Sequence, residues 1–195
     1  MTTPEFDDAL IAAAFRLGAS TGWRSMSVAA AARAASVPLD QARTRFPSLR
    51  FLLRRFGARL DEAALATAPA EGTVRDRLFD LLMSRLDAMK PHRDGIRALA
   101  RYAPLDPALA LELACGTRRS MTWMLEAAGE SSTGLRGELR VHGLIAVWLW
   151  SVRAFERDET EDLAPTMVAL DAALGWADSM AGRLVSDQSL TAFKE

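Results

Sequence analysis

The chain has 195 residues, half of them hydrophobic, and a net charge of −1. This composition supports a substantial core and excludes a disordered chain. The single cysteine, Cys115, excludes an internal disulfide and a cysteine-based metal cluster, which suits a reducing compartment. The acidic start, with Glu5 and Asp7, is not typical of a signal peptide, and the longest uncharged apolar run, 143–152, is about half of what a bilayer crossing needs. We therefore expect a cytoplasmic protein without a membrane span.

Apolar residues recur at helical spacing throughout, so the sequence predicts an all-α fold with a small N-terminal head and a larger helical body. In the head, helices are predicted at residues 5–19, from the N-cap Ser27, from Pro38 to just before Phe46, and from the cap Ser48 to about Thr67. The break at 69–72 is the candidate boundary between head and body. In the body, helices are predicted at 73–90, 92–102, 106–128, 135–157 and 161–186, with a frayed tail at 187–195.

Charge is divided unevenly between the two parts. Residues 1–60 hold nine arginines against four acidic residues, a balance of +5. Residues 61–195 hold 15 basic and 21 acidic residues, a balance of −6. A basic head on an acidic body is expected where one end of a protein contacts nucleic-acid phosphate. The alternative is a chance distribution of charge over solvated faces.

The last two long helices indicate self-association. Residues 143–152 are apolar around the whole helix, so this segment must be covered on two sides. Two such helices per chain can form a four-helix interface in a symmetric homodimer, or both faces can be buried within one monomer. The residues predicted at the dimer interface are Ile145, Leu149, Val152, Met167, Leu170 and Leu174.

Bulky, polarizable side chains in the body predict a binding site for an elongated apolar effector. The alternative is a well-filled core. His142 either hydrogen-bonds a polar group of that effector or is a packed or surface residue. The predicted ligand-binding residues are Phe79, Met83, Leu86, Trp123, Met124, Leu144 and Trp148.

The sequence contains no recognisable catalytic constellation. Its two histidines, His92 and His142, belong to no cluster with metal-ligand spacing, and Ser131-Ser132 is not part of a nucleophile elbow. No glycine-rich phosphate loop follows a strand. We expect neither enzymatic activity, nor a cofactor, nor a metal site.

The first sixty residues resemble the TetR family of bacterial transcriptional regulators. The resemblance covers about residues 6–60: a first helix, a second opened by Ser27-Val28, a short turn, and a third ending in Phe46-Pro47-Ser48. It implies a helix-turn-helix DNA-binding head at 1–48, a connecting helix at 49–68 and an effector-binding, dimerising body at 69–195. It further implies a regulator, usually a repressor, that a small apolar effector releases from a pseudo-palindromic operator in double-stranded DNA.

The resemblance also implies which residues face DNA. Ser36 replaces the glycine usual in the turn, Pro38 replaces a Ser or Thr, and Arg43 replaces a common aromatic. These departures lie in the turn and the third helix, so they affect the predicted DNA contacts and not the predicted fold. Arg24 and Arg45 are further candidates for phosphate contact, although Arg45 has the alternative of packing against the body. The predicted DNA-binding residues are Ser27, Arg33, Leu39, Asp40, Gln41, Arg43, Thr44 and Arg50.

The C-terminal half is also similar to the lipid-binding accessory protein of ubiquinone biosynthesis, which shares the TetR fold. The similarity lies in segments 127–132, 146–150 and 155–158, in Thr166, and in Leu170-Asp171. It implies an alternative function, in which the chain binds an isoprenoid or quinone lipid and not DNA.

Overall fold

The computed structural model describes residues 2–67 and 71–191, the last eleven of these by their backbone alone. This part of the chain is all-α, as predicted, and none of its helices is long and apolar enough to cross a membrane. Two short 3₁₀ helices cover Lys90–His92 and Ala103–Leu105. The α-helices are α1 (Thr3–Thr21), α2 (Val28–Ala34), α3 (Leu39–Arg45), α4 (Leu49–Ala66), α5 (Val74–Met89), α6 (Arg93–Tyr102), α7 (Pro107–Ala127), α8 (Gly134–Phe155) and α9 (Ala164–Thr191).

The start of α3 and both ends of α9 differ from the predictions. Pro38 precedes α3 as its N-cap and is not its first residue, because its ψ of 133° keeps the backbone extended. Helix α9 begins later than predicted, since the side chain of Asp162 accepts a hydrogen bond from the amide of Ala164. It continues to Thr191, so residues 187–191 are helical and not frayed, while residues 192–195 of the predicted tail lie outside the described part. The first two residues of the predicted break at 69–72 lie outside it as well.

The chain divides into two compact units. Unit 1 contains the residues up to Ala63 and the segment Ala88–Ser120, and unit 2 contains Ala64–Asp87 and the residues from Met121 onward. The boundaries fall inside α4, α5 and α7, because α6 packs on α1 and joins the segment that contains it to the N-terminal helices. The functional division at residues 48 and 68 therefore stays a prediction.

The core of unit 1 forms where α1 and α6 approach closely. A Cβ atom at Gly95 would lie 2.5 Å from the backbone oxygen of Phe15, so only glycine fits at this crossing. The buried indole of Trp23 donates a hydrogen bond to the carbonyl oxygen of Gly95 at 2.9 Å. Phe15 also packs against Trp23, Phe56 and His92. Burial lowers the pKa of His92, an effect that the charge of Asp8 partly opposes.

In unit 2, helix α8 packs along α9. The connection between them is held by Asp158, a buried carboxylate. Its two oxygens accept hydrogen bonds from the backbone amides and the hydroxyls of Thr160 and Thr166. Thr166 lies in the first turn of α9, where backbone amides have no partner within the helix. Burial alone would raise the pKa of Asp158, but these hydrogen bonds lower it to about 2. Asp158 therefore caps α9 as an anion.

The turn between α2 and α3 is closed by backbone hydrogen bonds. Ser36 has a φ of 55°, in the left-handed region that favours glycine. The amide of Ser36 donates to the carbonyl of Arg33, and the amide of Val37 donates to that of Ala32, at 3.0 Å. This is the Schellman pattern at a helix end, and the burial of Val37 supplies its hydrophobic contact. The turn thus sets the direction in which α3 leaves α2.

Replacing Ser36 with glycine should stabilise the protein. Glycine removes the strain of a left-handed side chain, so we expect the free energy of unfolding to rise by about 0.5–1 kcal/mol. Urea denaturation followed by circular dichroism measures this change. The matched control is Ser20→Gly, at an exposed position inside α1, which should lower stability because glycine is a poor helix former. A destabilised Ser36→Gly variant would contradict the role given to this turn.

Replacing Asp158 with asparagine should destabilise the protein at neutral pH by about 2 kcal/mol, since one pKa unit corresponds to about 1.4 kcal/mol. The contribution of a carboxylate whose pKa is lowered on folding is present above its unfolded pKa, near 4, and is lost as the pH falls towards 2. The stability gap between wild type and Asp158→Asn should therefore close over this range in urea titrations. Asp171→Asn, at an exposed ion pair with Arg75, is the control and should have little effect at any pH.

Candidate nucleic-acid interface

Helix α3 is anchored by few residues and exposes most of its length. Its only buried residue is Ala42, and the buried side chains of Val37 and Phe46 hold its two ends. The remaining side chains are exposed, including that of Leu39, which is 46% exposed although apolar. The structure therefore brings five of the predicted DNA-binding residues together on one short helix: Leu39, Asp40, Gln41, Arg43 and Thr44.

The exposed face of α3 borders a surface depression. The depression has a volume of about 430 Å³ and is lined by Asp40, Gln41, Thr44 and Arg45. The hydroxyl of Thr44 donates a hydrogen bond to the carbonyl oxygen of Asp40 at 2.9 Å, which fixes its orientation. A carboxylate, an amide and a hydroxyl thus stand side by side, and these groups can pair with the edges of DNA bases.

The other predicted contact residues lie outside α3. Ser27 caps α2, because its hydroxyl oxygen accepts a hydrogen bond from the amide of Ala30 at 3.1 Å. Its side chain therefore has a structural role whether or not it contacts DNA. Arg33 in α2 and Arg50 in α4 are both exposed.

The nine arginines of the first sixty residues separate into two groups. Four of them form ion pairs with acidic side chains of unit 1: Arg45, Arg54, Arg55 and Arg59. The other five are exposed and form no ion pair within the part of the chain that the structure describes: Arg16, Arg24, Arg33, Arg43 and Arg50. Internal pairing therefore neutralises much of the acidic charge, and these five arginines carry the excess positive charge to the surface.

Asp7 is the centre of the internal pairing. Its carboxylate is completely buried. Arg45, in the last turn of α3, donates two hydrogen bonds to it at 2.9 and 2.7 Å. Arg55, in α4, donates a third at 2.9 Å. Burial would raise the pKa of Asp7, but the hydrogen bonds from Arg45 and Arg55 and their charges lower it below its ordinary value.

This network was missed in the sequence. Arg45 was expected either to contact phosphate or to pack against the body, whereas its guanidinium binds Asp7 within unit 1. The available signal was an acidic residue on the apolar stripe of α1, one turn before the buried side chain of Ile11. Arg55 and Arg59 also share Glu62, and Arg59 binds Asp8, so α1 and α4 are joined a second time.

The predicted ligand-binding residues all lie in unit 2, in different environments. Trp123 is 55% exposed and so lies at the surface, while Phe79 is half-buried. His142 is exposed, and its Nδ1 lies 2.8 Å from the carbonyl oxygen of Glu138. The other predicted residues are buried: Met83, Leu86, Met124, Leu144 and Trp148.

A buried charge accompanies these apolar side chains. Arg85 lies on the same face of α5 as Leu81 and Leu82 and is only 5% exposed. Its guanidinium carbon lies 4.9 Å from the ring centroid of Trp148, within the range of a cation–π interaction. Burial lowers the pKa of Arg85 to about 10, so the side chain stays charged at neutral pH. The sequence signal for this buried charge was an arginine three and four residues after two leucines, which places it on the same helix face.

The predicted dimer residues fall into three groups. Leu149 and Met167 are exposed, and Ile145 and Val152 are half-buried. Leu170 and Leu174 are buried, because this stripe of α9 faces the interior of unit 2. Six large apolar side chains on α8 and α9 that were not predicted at the interface are exposed as well: Leu135, Leu139, Trp150, Val168, Trp176 and Met180.

Several of the residues by which the C-terminal half is similar to the lipid-binding accessory protein have structural roles. Asp158 and Thr166 cap α9, as described above. Asp171 binds Arg75, and the carbonyl oxygen of Ala128 accepts a hydrogen bond from Arg77. These contacts join α5, α7 and α9 inside unit 2, so they account for these residues without a lipid.

Comparison with solved structures identifies the fold. No family model and no curated protein matches the sequence, whereas several solved structures are similar to this one. The TetR transcriptional regulator from Nitrosomonas europaea has a TM-score of 0.73 and 24% sequence identity, over 89% of this chain and 98% of that one. The tetR-family regulator from Streptomyces coelicolor has a TM-score of 0.58 and 16% sequence identity, over 93% of this chain and 91% of that one. GusR from Salmonella enterica has a TM-score of 0.57 and 18% sequence identity, over 90% of this chain and 98% of that one. The chain therefore has the fold of the TetR-family transcriptional regulators.

Proposed function

We propose that this chain is a DNA-binding transcriptional regulator, acting as a homodimeric repressor that a small apolar or lipid-like effector releases from its operator. The observation that carries the proposal is the division of the arginines. Four form internal ion pairs, and five, all within the first fifty residues, remain exposed without an ion pair among the described residues. Exposed arginines next to a short, solvent-facing helix are suited to phosphate and base contacts.

The exposed side chains of α3 suggest how the operator is read. Arg43 is suited to a guanine edge or a phosphate, and Gln41 is suited to an adenine edge. Asp40 repels phosphate but accepts a hydrogen bond from the amino group of cytosine. In a symmetric dimer, two such helices bind half-sites one helical turn apart, or a small multiple of it, on a pseudo-palindrome.

Effector binding is assigned to unit 2. Met83, Met124 and Trp148 offer an adaptable apolar environment for an elongated molecule. An effector that favours a different spacing of the two DNA-binding heads releases the operator, and a coupling of about 1–3 kcal/mol is typical of such systems.

Self-association is assigned to the exposed apolar side chains of α8 and α9. Leu149 and Trp150 of α8 and Trp176 of α9 are each more than half exposed. Met167 of α9 is exposed as well. Several large exposed apolar side chains on neighbouring helices are typical of association surfaces. Ile145 and Val152 of α8, which are half-buried, are assigned to the same surface.

The function is tested by fluorescence anisotropy of the purified protein against its own upstream DNA and a scrambled control, at two salt concentrations. We expect saturable binding that prefers the native sequence and weakens as salt rises. If neither probe binds and a lipid co-purifies in native mass spectrometry, the alternative function, an isoprenoid- or quinone-binding accessory protein, replaces this proposal.

Replacing Arg43 with alanine should weaken operator binding by about tenfold or more, and should reduce the salt slope by about one if the contact is to phosphate. The melting temperature should not change, because Arg43 is exposed and forms no ion pair with described residues. Arg157→Ala, which removes an exposed arginine of unit 2, is the matched control and should leave the affinity unchanged. Equal affinities of Arg43→Ala and wild type would remove Arg43 from the interface.

Replacing Trp176 with glutamate should convert the dimer into monomers, because it places a charge in the apolar surface of α9. Light scattering coupled to size-exclusion chromatography measures the mass, and circular dichroism shows that the fold is retained. Leu105→Glu introduces the same charge at an exposed leucine of unit 1 and should leave the mass unchanged. A Trp176→Glu variant that stays dimeric would refute this interface.

A further inference from the structure

We propose that Asp7 is a positioning residue for DNA recognition, whose buried carboxylate holds the recognition helix α3 against α1 and α4 through Arg45 and Arg55. The inference rests on the proposed function of DNA binding and adds a residue that does not contact DNA.

The geometry makes Asp7 the common acceptor of two helices. Arg45, at the end of α3, binds both of its carboxylate oxygens, and Arg55, in α4, binds the second of them. A two-oxygen contact with the planar guanidinium group restricts both the distance and the direction of the arginine. Because Asp7 belongs to α1, one buried group sets the position of α3 relative to two neighbouring helices.

Helix α3 has few other contacts that limit its orientation. It has seven residues, of which only Ala42 is buried. A helix of this length, with a single buried alanine, is held mainly at its two ends. Val37 in the preceding turn fixes the beginning, and the buried side chain of Phe46 and the Arg45–Asp7 contact together fix the other end.

Arg45 has an alternative role, direct contact with a DNA phosphate, and the experiment must distinguish it from the positioning of α3. Its side chain is 44% exposed, so its guanidinium is accessible to a phosphate as well as to Asp7. The two roles predict opposite effects of removing the carboxylate. If Asp7 positions α3, Asp7→Asn weakens operator binding although the protein gains positive charge. If Arg45 contacts phosphate, Asp7→Asn frees a cation and strengthens binding.

The test uses full-length protein and a DNA fragment that the wild type selects from a random pool, with anisotropy measured at several salt concentrations and at a temperature where each variant is folded. We expect Asp7→Asn and Arg45→Lys to weaken binding by about tenfold, because each variant loses the two-oxygen contact that restricts the direction of α3. The salt slope should not change for Asp7→Asn or for Arg45→Gln, because no phosphate contact is lost.

The matched control is Asp8→Asn. It also removes one negative charge from α1, but Asp8 binds Arg59 in α4 and has no contact with α3. Its operator affinity should stay within about twofold of wild type, or rise slightly, since the charge change alone favours DNA.

Three results would overturn the proposal. Asp7→Asn binding as tightly as wild type, or more tightly, excludes a positioning role. Arg45→Lys with unchanged affinity, or Arg45→Gln with a salt slope reduced by about one, assigns Arg45 to phosphate. If Asp7→Asn does not fold, the two Arg45 variants decide, because their side chain is partly exposed. If the wild type itself selects no DNA, the proposed function fails and this inference fails with it.

Discussion

The arrangement of the N-terminal helices depends on one buried carboxylate. Asp7 has no exposed surface and receives three hydrogen bonds from two arginines. A buried charge is tolerated only when it is paired, and removing one partner of such a pair typically costs roughly 3–5 kcal/mol. The interaction therefore holds α1, α3 and α4 in one arrangement, and it lowers the pKa of Asp7 below its ordinary value.

The same pairing shapes the electrostatics of the surface. Asp7, Asp8, Glu62 and Glu112 bind four arginines, which removes the acidic charge that would repel a phosphate backbone. Unit 1 as a whole holds 15 basic and nine acidic residues, a balance of +6, and unit 2 holds nine and 16, a balance of −7. The uneven charge along the sequence is thus sharper in the folded units, because the segment with α6 adds basic residues to the N-terminal helices.

In unit 2, too, buried polar groups organise the packing of the helices. Asp158 caps α9 through four hydrogen bonds, and Arg85 lies over Trp148 inside the core. These contacts link α5 to α8 and fix the start of α9, while several large apolar side chains of α8 and α9 remain exposed. Trp150 and Trp176 are examples, and their exposure supports the proposal that α8 and α9 meet a second copy of the chain.

Local sequence chemistry was sufficient for the helices and their ends. Hydrophobic spacing predicted the positions of α1 to α8 to within two residues. These features depend on residues a few positions apart. Which face of a helix is buried was not accessible in this way: Leu170 and Leu174 are buried while Trp176 is exposed, and Trp123 is exposed while Trp148 is buried. The partner of Arg45 lies 38 residues away. Such choices depend on the packing of distant helices, because a side chain's environment is set by what meets it in three dimensions and not by its neighbours along the chain.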